Sequence, residues 1–231
     1  MMQVEITNII DETNRVKRFE LSTDDGTVID FLPGQFVQIV HPDLPEFENT
    51  RSYSISSLSV GSNKIELCIA LNENGIFTPW LFQKSIGDIL QISESRGEFV
   101  LKSEHLNFPL VFICTGTGIA PFRSMIHKAL AEGNNDVYLI FGNRKKTDIL
   151  YKSELEFLVN SNSKFYYLPV LSQETNFENF GYVHEFYSNI LREIGEARIF
   201  VCGWKDMCAE TRNRLKEMGY NRRQYFFEQY D

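Results

Sequence analysis

Over the first hundred residues apolar and polar positions alternate in short runs, at 4–10, 16–21, 35–40, 51–57 and 64–71. A period of two buries one face of a β-strand and leaves the other to water. Turn residues interrupt the runs: Asp24-Asp25-Gly26, Pro33-Gly34 and Gly61-Ser62-Asn63. Several short strands at this spacing predict a small antiparallel β-barrel. From about residue 108 the rhythm changes. Apolar strand cores at 110–114, 137–141, 165–171 and 199–202 are each followed by a helical stretch, at 121–131, 152–159, 184–194 and 207–218, and a last strand is expected at 225–231. Alternation of this kind predicts βαβ units around a parallel sheet, an α/β Rossmann-like domain. The polar stretch 102–107 before Pro109 marks the boundary, giving domains at 1–103 and 104–231.

Composition agrees with a folded chain: of 231 residues, 43% are hydrophobic and 13% aromatic, too many for disorder. The net charge of -8 counts against nucleic acid and anionic membrane as partners. Charge is uneven, with 7 basic and 15 acidic side chains in residues 1–100 but 16 of each in 101–231. Within the acidic part Arg15, Lys17 and Arg18 cluster on one hairpin-like segment, a candidate docking patch. Cys68, Cys114, Cys202 and Cys208 have neither metal-ligand nor iron–sulfur spacing, and they read as thiols of a reducing, cytoplasmic compartment with no metal site. The N-terminus lacks a basic segment followed by an apolar one, and no 18 consecutive residues are apolar. Neither secretion nor membrane spanning is expected.

Four segments carry candidate chemistry. In Arg51-Ser52-Tyr53-Ser54, strand alternation puts Arg51 and Tyr53 on one face, a cation and a ring suited to a phosphate and a heterocycle. The same run also reads as an ordinary half-buried strand. In Asn74-Gly75-Ile76-Phe77-Thr78-Pro79, Thr78 is the expected N-cap of a short helix and Pro79 its first residue. Cys114-Thr115-Gly116-Thr117-Gly118-Ile119-Ala120-Pro121 follows a strand and opens a helix, the context of a dinucleotide loop. It reads GxGxxP rather than GxGxxG, with Pro121 where a third glycine would permit close packing. Last, Cys202-Gly203 closes a parallel strand at the edge where open α/β sheets bind ligands, and the chain ends in Glu228-Gln229-Tyr230-Asp231.

In this order the motifs resemble the ferredoxin–NADP reductase superfamily over nearly the whole chain, with Pro33-Gly34-Gln35-Phe36, Gly97-Glu98-Phe99, Phe141-Gly142-Asn143-Arg144 and Asp148-Ile149-Leu150-Tyr151 as further landmarks. The resemblance implies an FAD-binding barrel followed by an NAD(P)-binding domain. It implies that Arg51 binds the FAD pyrophosphate, that Tyr53 stacks on the isoalloxazine and that Ser54 hydrogen-bonds near flavin N5. Cys68, Ile69 and Ala70 would run past the flavin, Ala70 standing where many relatives have a basic residue. Gly75, Ile76, Phe77 and Thr78 would cap the pyrophosphate. Thr115, Gly116, Thr117 and Gly118 would cradle the nicotinamide nucleotide, with Cys202 and Gly203 against the nicotinamide. Glu228 and Tyr230 match a terminal Glu-x-Tyr, in which the Tyr covers the flavin; Ser54, Cys202 and Glu228 would serve hydride and proton transfer.

The nucleotide is left open between NADH and NADPH. Relatives that use NADPH carry Ser-Arg and Lys-x-Tyr where this chain has Ser172-Gln173 and Phe180-Gly181-Tyr182, so Ser172 and Tyr182 survive while the two cations do not. Arg144, with Lys145 and Lys146, is a candidate substitute, and Glu174 a candidate partner for a 2′-hydroxyl. The expected activity is electron transfer from NADH or NADPH through FAD to a separate one-electron carrier, a ferredoxin, a flavodoxin or an oxygenase component, by a monomer. The alternatives are the reductase component of an oxygenase or a free flavin or ferric reductase, and a non-catalytic flavin-binding electron-transfer subunit.

Overall fold

The computed structural model describes residues 1–58 and 60–230. These divide into two units, the first comprising Met1–Val100 together with Ala120–Met125 and the second the remainder.

The first unit holds β1 (Met2–Thr13), β2 (Val16–Ser22), β3 (Phe36–Val40), β4 (Thr50–Ser54), β5 (Lys64–Ala70), the short helix α1 (Phe77–Phe82) and β6 (Ile89–Ile92). The strands form one sheet in the order β4-β3-β6-β1-β2-β5, every pair antiparallel. Ile55 bridges Leu67, and the Ser56 N–H donates to the Glu66 carbonyl at 2.8 Å, which closes the sheet into a barrel. Register lines up the apolar sets: Ile6 faces Leu21, Phe19 faces Leu67 and Leu21 faces Ile65, and all are buried. Gly34 turns the chain at φ +105, where a Cβ would run into the Phe99 carbonyl and the Met125 side chain, so no other residue fits.

Three details of this unit differ from the sequence pattern. Strand β6 was not expected: only Leu90 and Ile92 of its four residues point inward, too short a run to register as a period. The run 51–57 pairs regularly only to Ser54 before it crosses to β5. Thr78 is not a cap. Ile76 holds that position, and the Thr78 hydroxyl closes the preceding turn instead, accepting the Asn72 N–H at 2.8 Å and donating to the Asn72 carbonyl at 3.2 Å.

In the second unit β7 (Leu110–Thr115), β8 (Val137–Asn143), β9 (Phe165–Leu171), β10 (Arg198–Trp204) and β11 (Tyr225–Tyr230) form a wholly parallel sheet, in the order β11-β10-β7-β8-β9. Between the strands run α2 (Ala120–Glu132), whose first turn belongs to the first unit, α3 (Lys152–Ser161), α4 (Val183–Ile194) and α5 (Lys205–Glu217). One sheet face buries Val111, Ile113, Ile140 and Val201 with Tyr187 and Leu191 of α4 and Leu215 of α5. On the opposite face Phe112, Phe200 and Phe226 stack at 5.5 and 4.8 Å, and His105 lies 4.7 Å from Phe226. His105 belongs to a short turn, Ser103–Asn107, and its Nδ1 accepts the Lys102 N–H, so the polar stretch 102–107 is ordered structure. From β7 the chain goes outward to β8 and β9, then returns to place β10 on the other side. The strand order therefore reverses between β7 and β10, and the crevice at their C-terminal ends is where a sheet of this kind takes a ligand.

Candidate functional site

In the barrel, segments some 25 residues apart converge on one ring. Arg51 and Tyr53 share a face of β4, opposite Ile39 and Val37 of β3. The Arg51 guanidinium stands 5.8 Å over the Phe77 ring, and the Tyr53 ring lies 6.1 Å from the same Phe77. Arg51 is exposed, its Nη1 donating to the Thr50 carbonyl at 2.7 Å and the Glu48 carbonyl at 3.1 Å. Burial raises the Tyr53 phenol well above its ordinary pKa, against the opposing pull of Arg51. Next along the strand Ser54 is buried. An exposed cation, an aromatic face and a buried hydroxyl are a donor set that fits a flavin nucleotide.

Not every residue that the resemblance assigns to the flavin turns its side chain to the outside of the barrel. On β5, Ile69 points into the barrel core while Cys68 and Ala70 face outward, Cys68 covered and Ala70 exposed. Ile76 is exposed, Phe77 is buried beneath Arg51, and the Gly75 N–H closes a turn on the Asn72 carbonyl at 3.0 Å. Each cation of the basic cluster Arg15, Lys17 and Arg18 stands beside a carboxylate. Arg18 is largely buried, its Nε 2.8 Å from Glu12, while Lys17 and Arg15 lie 3.7 Å from Asp11 and Glu73.

At the sheet edge three strand ends meet, those of β7, β10 and β11. Cys202, fully buried on β10, lies in register between Cys114 on β7 and Glu228 on β11. Burial pushes its thiol well above the usual range, and the Glu228 carboxylate adds to the shift, while a hydrogen bond with the Tyr230 side chain opposes it. Cys202, Glu228 and Tyr230 thus form one contact group, with the thiol protonated. The Cys208 thiol donates to the Gly203 and Glu228 carbonyls at 3.6 and 3.7 Å, pinning β10 to β11. Thr115 Oγ1 accepts the Trp204 N–H at 3.4 Å, which ties β7 to β10 across the switch point. Gly118 has no room for a side chain: a Cβ there would meet the Cys202 carbonyl. Gly116 takes a positive φ of 53, and Thr117 lies with it in the turn Gly116–Ile119 that leads into α2. Asp231 lies outside the described residues.

Two strands further along, the Ser172 N–H donates to the Asn143 carbonyl and the Gln173 N–H to the Arg144 carbonyl, each at 3.0 Å. This brings Gln173 beside Arg144, and both are exposed. Glu174 accepts the Lys146 N–H at 2.7 Å, and Lys146, Gln173, Glu174 and Phe177 help line a cleft of about 430 Å³. Tyr182 stands exposed at the start of α4. Sequence reasoning missed Trp204, exposed beside Gly203, and Glu66 and Arg123, whose only local signals are a charge inside the apolar run 65–69 and a cation just past Pro121. Among the described residues no group of His, Cys, Asp and Glu could hold a metal ion, and no helix is long and apolar enough to cross a membrane.

Residues 2–101 match the oxidoreductase FAD-binding domain family and residues 112–213 the oxidoreductase NAD-binding domain family. Ferredoxin–NADP reductase B of Sorangium cellulosum is 30% identical over 226 residues, covering 94% of this chain and 92% of its own. The 2-halobenzoate 1,2-dioxygenase electron transfer component of Burkholderia cepacia is 28% identical over 99% of this chain, which spans 67% of that longer protein. Among solved structures, ferredoxin–NADP+ reductase from Plasmodium falciparum with 2′P-AMP superposes with a TM-score of 0.83 at 22% identity, over 99% of this chain and 96% of the other, a likeness of fold.

Proposed function

Because this chain belongs to the ferredoxin–NADP reductase superfamily, with FAD and a nicotinamide nucleotide as its cofactors, we propose that it is an NAD(P)H-dependent reductase serving a separate one-electron carrier. The carrier is a ferredoxin, a flavodoxin or an oxygenase component, and the enzyme works as a cytoplasmic monomer. The observation that carries this reading is the meeting of Cys202, Glu228 and Tyr230, from two strands, beside the loop of Thr115 and Gly118 at the switch point. FAD supplies the chemistry that side chains cannot, accepting a hydride and releasing electrons singly.

The chain's own residues bind, orient and exclude water. Arg51 neutralises the flavin pyrophosphate, Tyr53 lies against its ring system and Ser54 offers a hydroxyl to N5. Thr117 and Gly118 receive the nucleotide phosphates, and Cys202, protonated and small, sets the depth of the nicotinamide pocket. Near-attack geometry is what such a site contributes to hydride transfer. Glu228, next to Cys202 in register, offers a carboxylate for proton exchange at this edge. Cofactor choice lies at the cleft of Lys146, Gln173 and Glu174: with Gln173 in place of an arginine and a carboxylate held by the Lys146 N–H, we favour NADH.

The test is direct. Purified protein should be yellow and should bleach anaerobically on addition of NADH, more slowly with NADPH. Protein that stays yellow with both is a flavin-binding subunit and not a reductase, and protein that takes up no flavin overturns the reading altogether.

A further inference from the structure

Behind the flavin strand lies a buried ionic network. Glu66 on β5 is 8% exposed, and its carboxylate is fully engaged: Oε1 accepts Arg123 Nη1 at 2.9 Å and Ser56 Oγ at 3.0 Å, while Oε2 accepts Arg18 Nη1 at 3.2 Å. Arg18 also pairs with Glu12 at 2.8 Å, so among the described contacts two cations meet two carboxylates. Arg123 stands in the first turn of α2, two residues past Pro121, with only 11% of its side chain exposed. Its Nη1 also donates to the Ser56 carbonyl at 2.9 Å. The backbone around Ser56 is bound to the same residue from other sides, since the Ser56 N–H donates to the Glu66 carbonyl and the Glu66 N–H donates to Ser57 Oγ at 2.6 Å.

Stability alone does not account for such a network, because well-packed apolar side chains of similar volume commonly stabilise an interior as well or better. What the guanidinium adds is direction. One nitrogen fixes the Glu66 carboxylate and the Ser56 carbonyl together, and Ser56 stands two residues past Ser54, where the chain leaves β3 and crosses to β5. We infer that Arg123 is a positioning residue of the flavin site: through Ser56 and Glu66 it sets where the Ser54 hydroxyl lies, and hence the environment of flavin N5. The inference rests on the reading of Ser54 given above. It assigns a role to the cation that follows the phosphate loop, distinct from contact with either cofactor.

The experiment uses the flavin-loaded enzyme and three variants: Arg123→Met, Arg123→Lys and the double variant Arg123→Met with Glu66→Gln. Arg123→Met should keep its flavin, shift the visible flavin spectrum and slow single-turnover reduction by saturating NADH about tenfold, since small misplacements at a hydride-transfer site are costly. Arg123→Lys should recover only part of the rate, because an ammonium on a flexible stem does not fix the direction of its donors as a planar guanidinium does. The double variant removes one buried charge of each sign, so it should melt nearer the wild-type temperature than Arg123→Met yet reduce as slowly. If Arg123→Met fails to fold, the double variant decides. A normal spectrum and a normal reduction rate per bound flavin, whatever the melting temperature, would overturn the inference. A wild-type protein without flavin would overturn the site reading and the inference together, whereas a yellow, reducible wild type beside an unaffected variant overturns the inference alone.

Discussion

In the barrel the groups proposed to hold the flavin come from two short segments and carry charge, rings and hydroxyls, whereas at the sheet edge Thr115, Gly118 and Cys202, from the ends of β7 and β10, are small. Arg51, Tyr53 and Phe77 converge through side chains 5.8 to 6.1 Å apart. Cys202, Gly118 and Thr115 converge through the backbone, with no room for a Cβ between Gly118 and the Cys202 carbonyl. On the proposed reading the first site depends on what its side chains are and the second on how closely the backbone can approach at Gly118. Removing charge should therefore cripple the first and leave the second intact; altering volume should do the reverse.

The largest effect is expected at Arg51. Its guanidinium is exposed and donates only to the Thr50 and Glu48 carbonyls among the contacts described, so Arg51→Ala strands no buried charge. Loss of a charged partner for a phosphate costs about 3 kcal/mol, a hundredfold or more in flavin affinity. The variant should fold, melt normally and emerge from gel filtration nearly colourless. Full flavin occupancy would break the comparison at its first term.

Next comes Cys202. Cys202→Ala removes a buried sulfur at the meeting point of β10 and β11 while leaving flavin contacts alone, so occupancy should hold. Reduction by NADH in stopped flow should slow by roughly one to two orders of magnitude as the nicotinamide loses its seat. Because burial and Glu228 hold the wild-type thiol well above its usual pKa, it stays neutral, and the rate should show no thiol step between about pH 6 and 9. A step near the ordinary thiol pKa, or an unchanged rate in Cys202→Ala, would return this cysteine to a purely packing role.

The comparison also explains what the chain disclosed before folding. Strand β9 announces itself because Phe165 to Leu171 is a run of aromatic and aliphatic residues, interrupted only by Pro169, between Lys164 and Ser172, and the parallel sheet follows from the repetition of such runs. The edge site was legible for the same reason: its residues sit at strand ends, where Gly116, Gly118 and Gly203 punctuate the sequence. Strand β6 was hidden because two inward residues set no period. The Glu66 network was hidden because its bonds join residues 48 and 57 apart in the chain, and no local pattern encodes such a partner. Thr78 misled because a hydroxyl before Pro79 serves a turn as readily as a cap.

A smaller effect should follow at the cleft of Gln173. The Gln173 N–H is held by the Arg144 carbonyl, so a longer cationic side chain at this position would stand beside Arg144. Gln173→Arg should raise kcat/KM for NADPH relative to NADH about tenfold, near the lower end of a charge-assisted phosphate contact. An unchanged ratio would mean that the 2′ position of the nucleotide lies elsewhere.

The smallest effect is expected on the barrel surface, where charge is plentiful but already paired. Lys17 lies 3.7 Å from Asp11 and 5.3 Å over the Phe82 ring, Arg15 lies 3.7 Å from Glu73, and Arg18 is drawn into the network with Glu12 and Glu66. Exposed pairs of this kind are worth only about 0 to 1 kcal/mol, and to an approaching partner each is close to neutral. Residues 1–100, with 15 acidic and 7 basic side chains, therefore present mostly negative charge. An acidic carrier meeting that surface is repelled, and added salt, by screening the repulsion, should leave its rate unchanged or raise it. A basic or weakly charged acceptor should lose rate or hold steady. Neutralising Arg15→Gln and Lys17→Gln together should alter electron transfer to either kind less than twofold at low salt. If an acidic ferredoxin instead loses rate steeply with salt and the double variant abolishes that slope, the two cations are a docking patch despite their partners. If the slope survives the substitutions, the attraction arises on the other unit, whose 16 basic and 16 acidic side chains leave room for a local positive face.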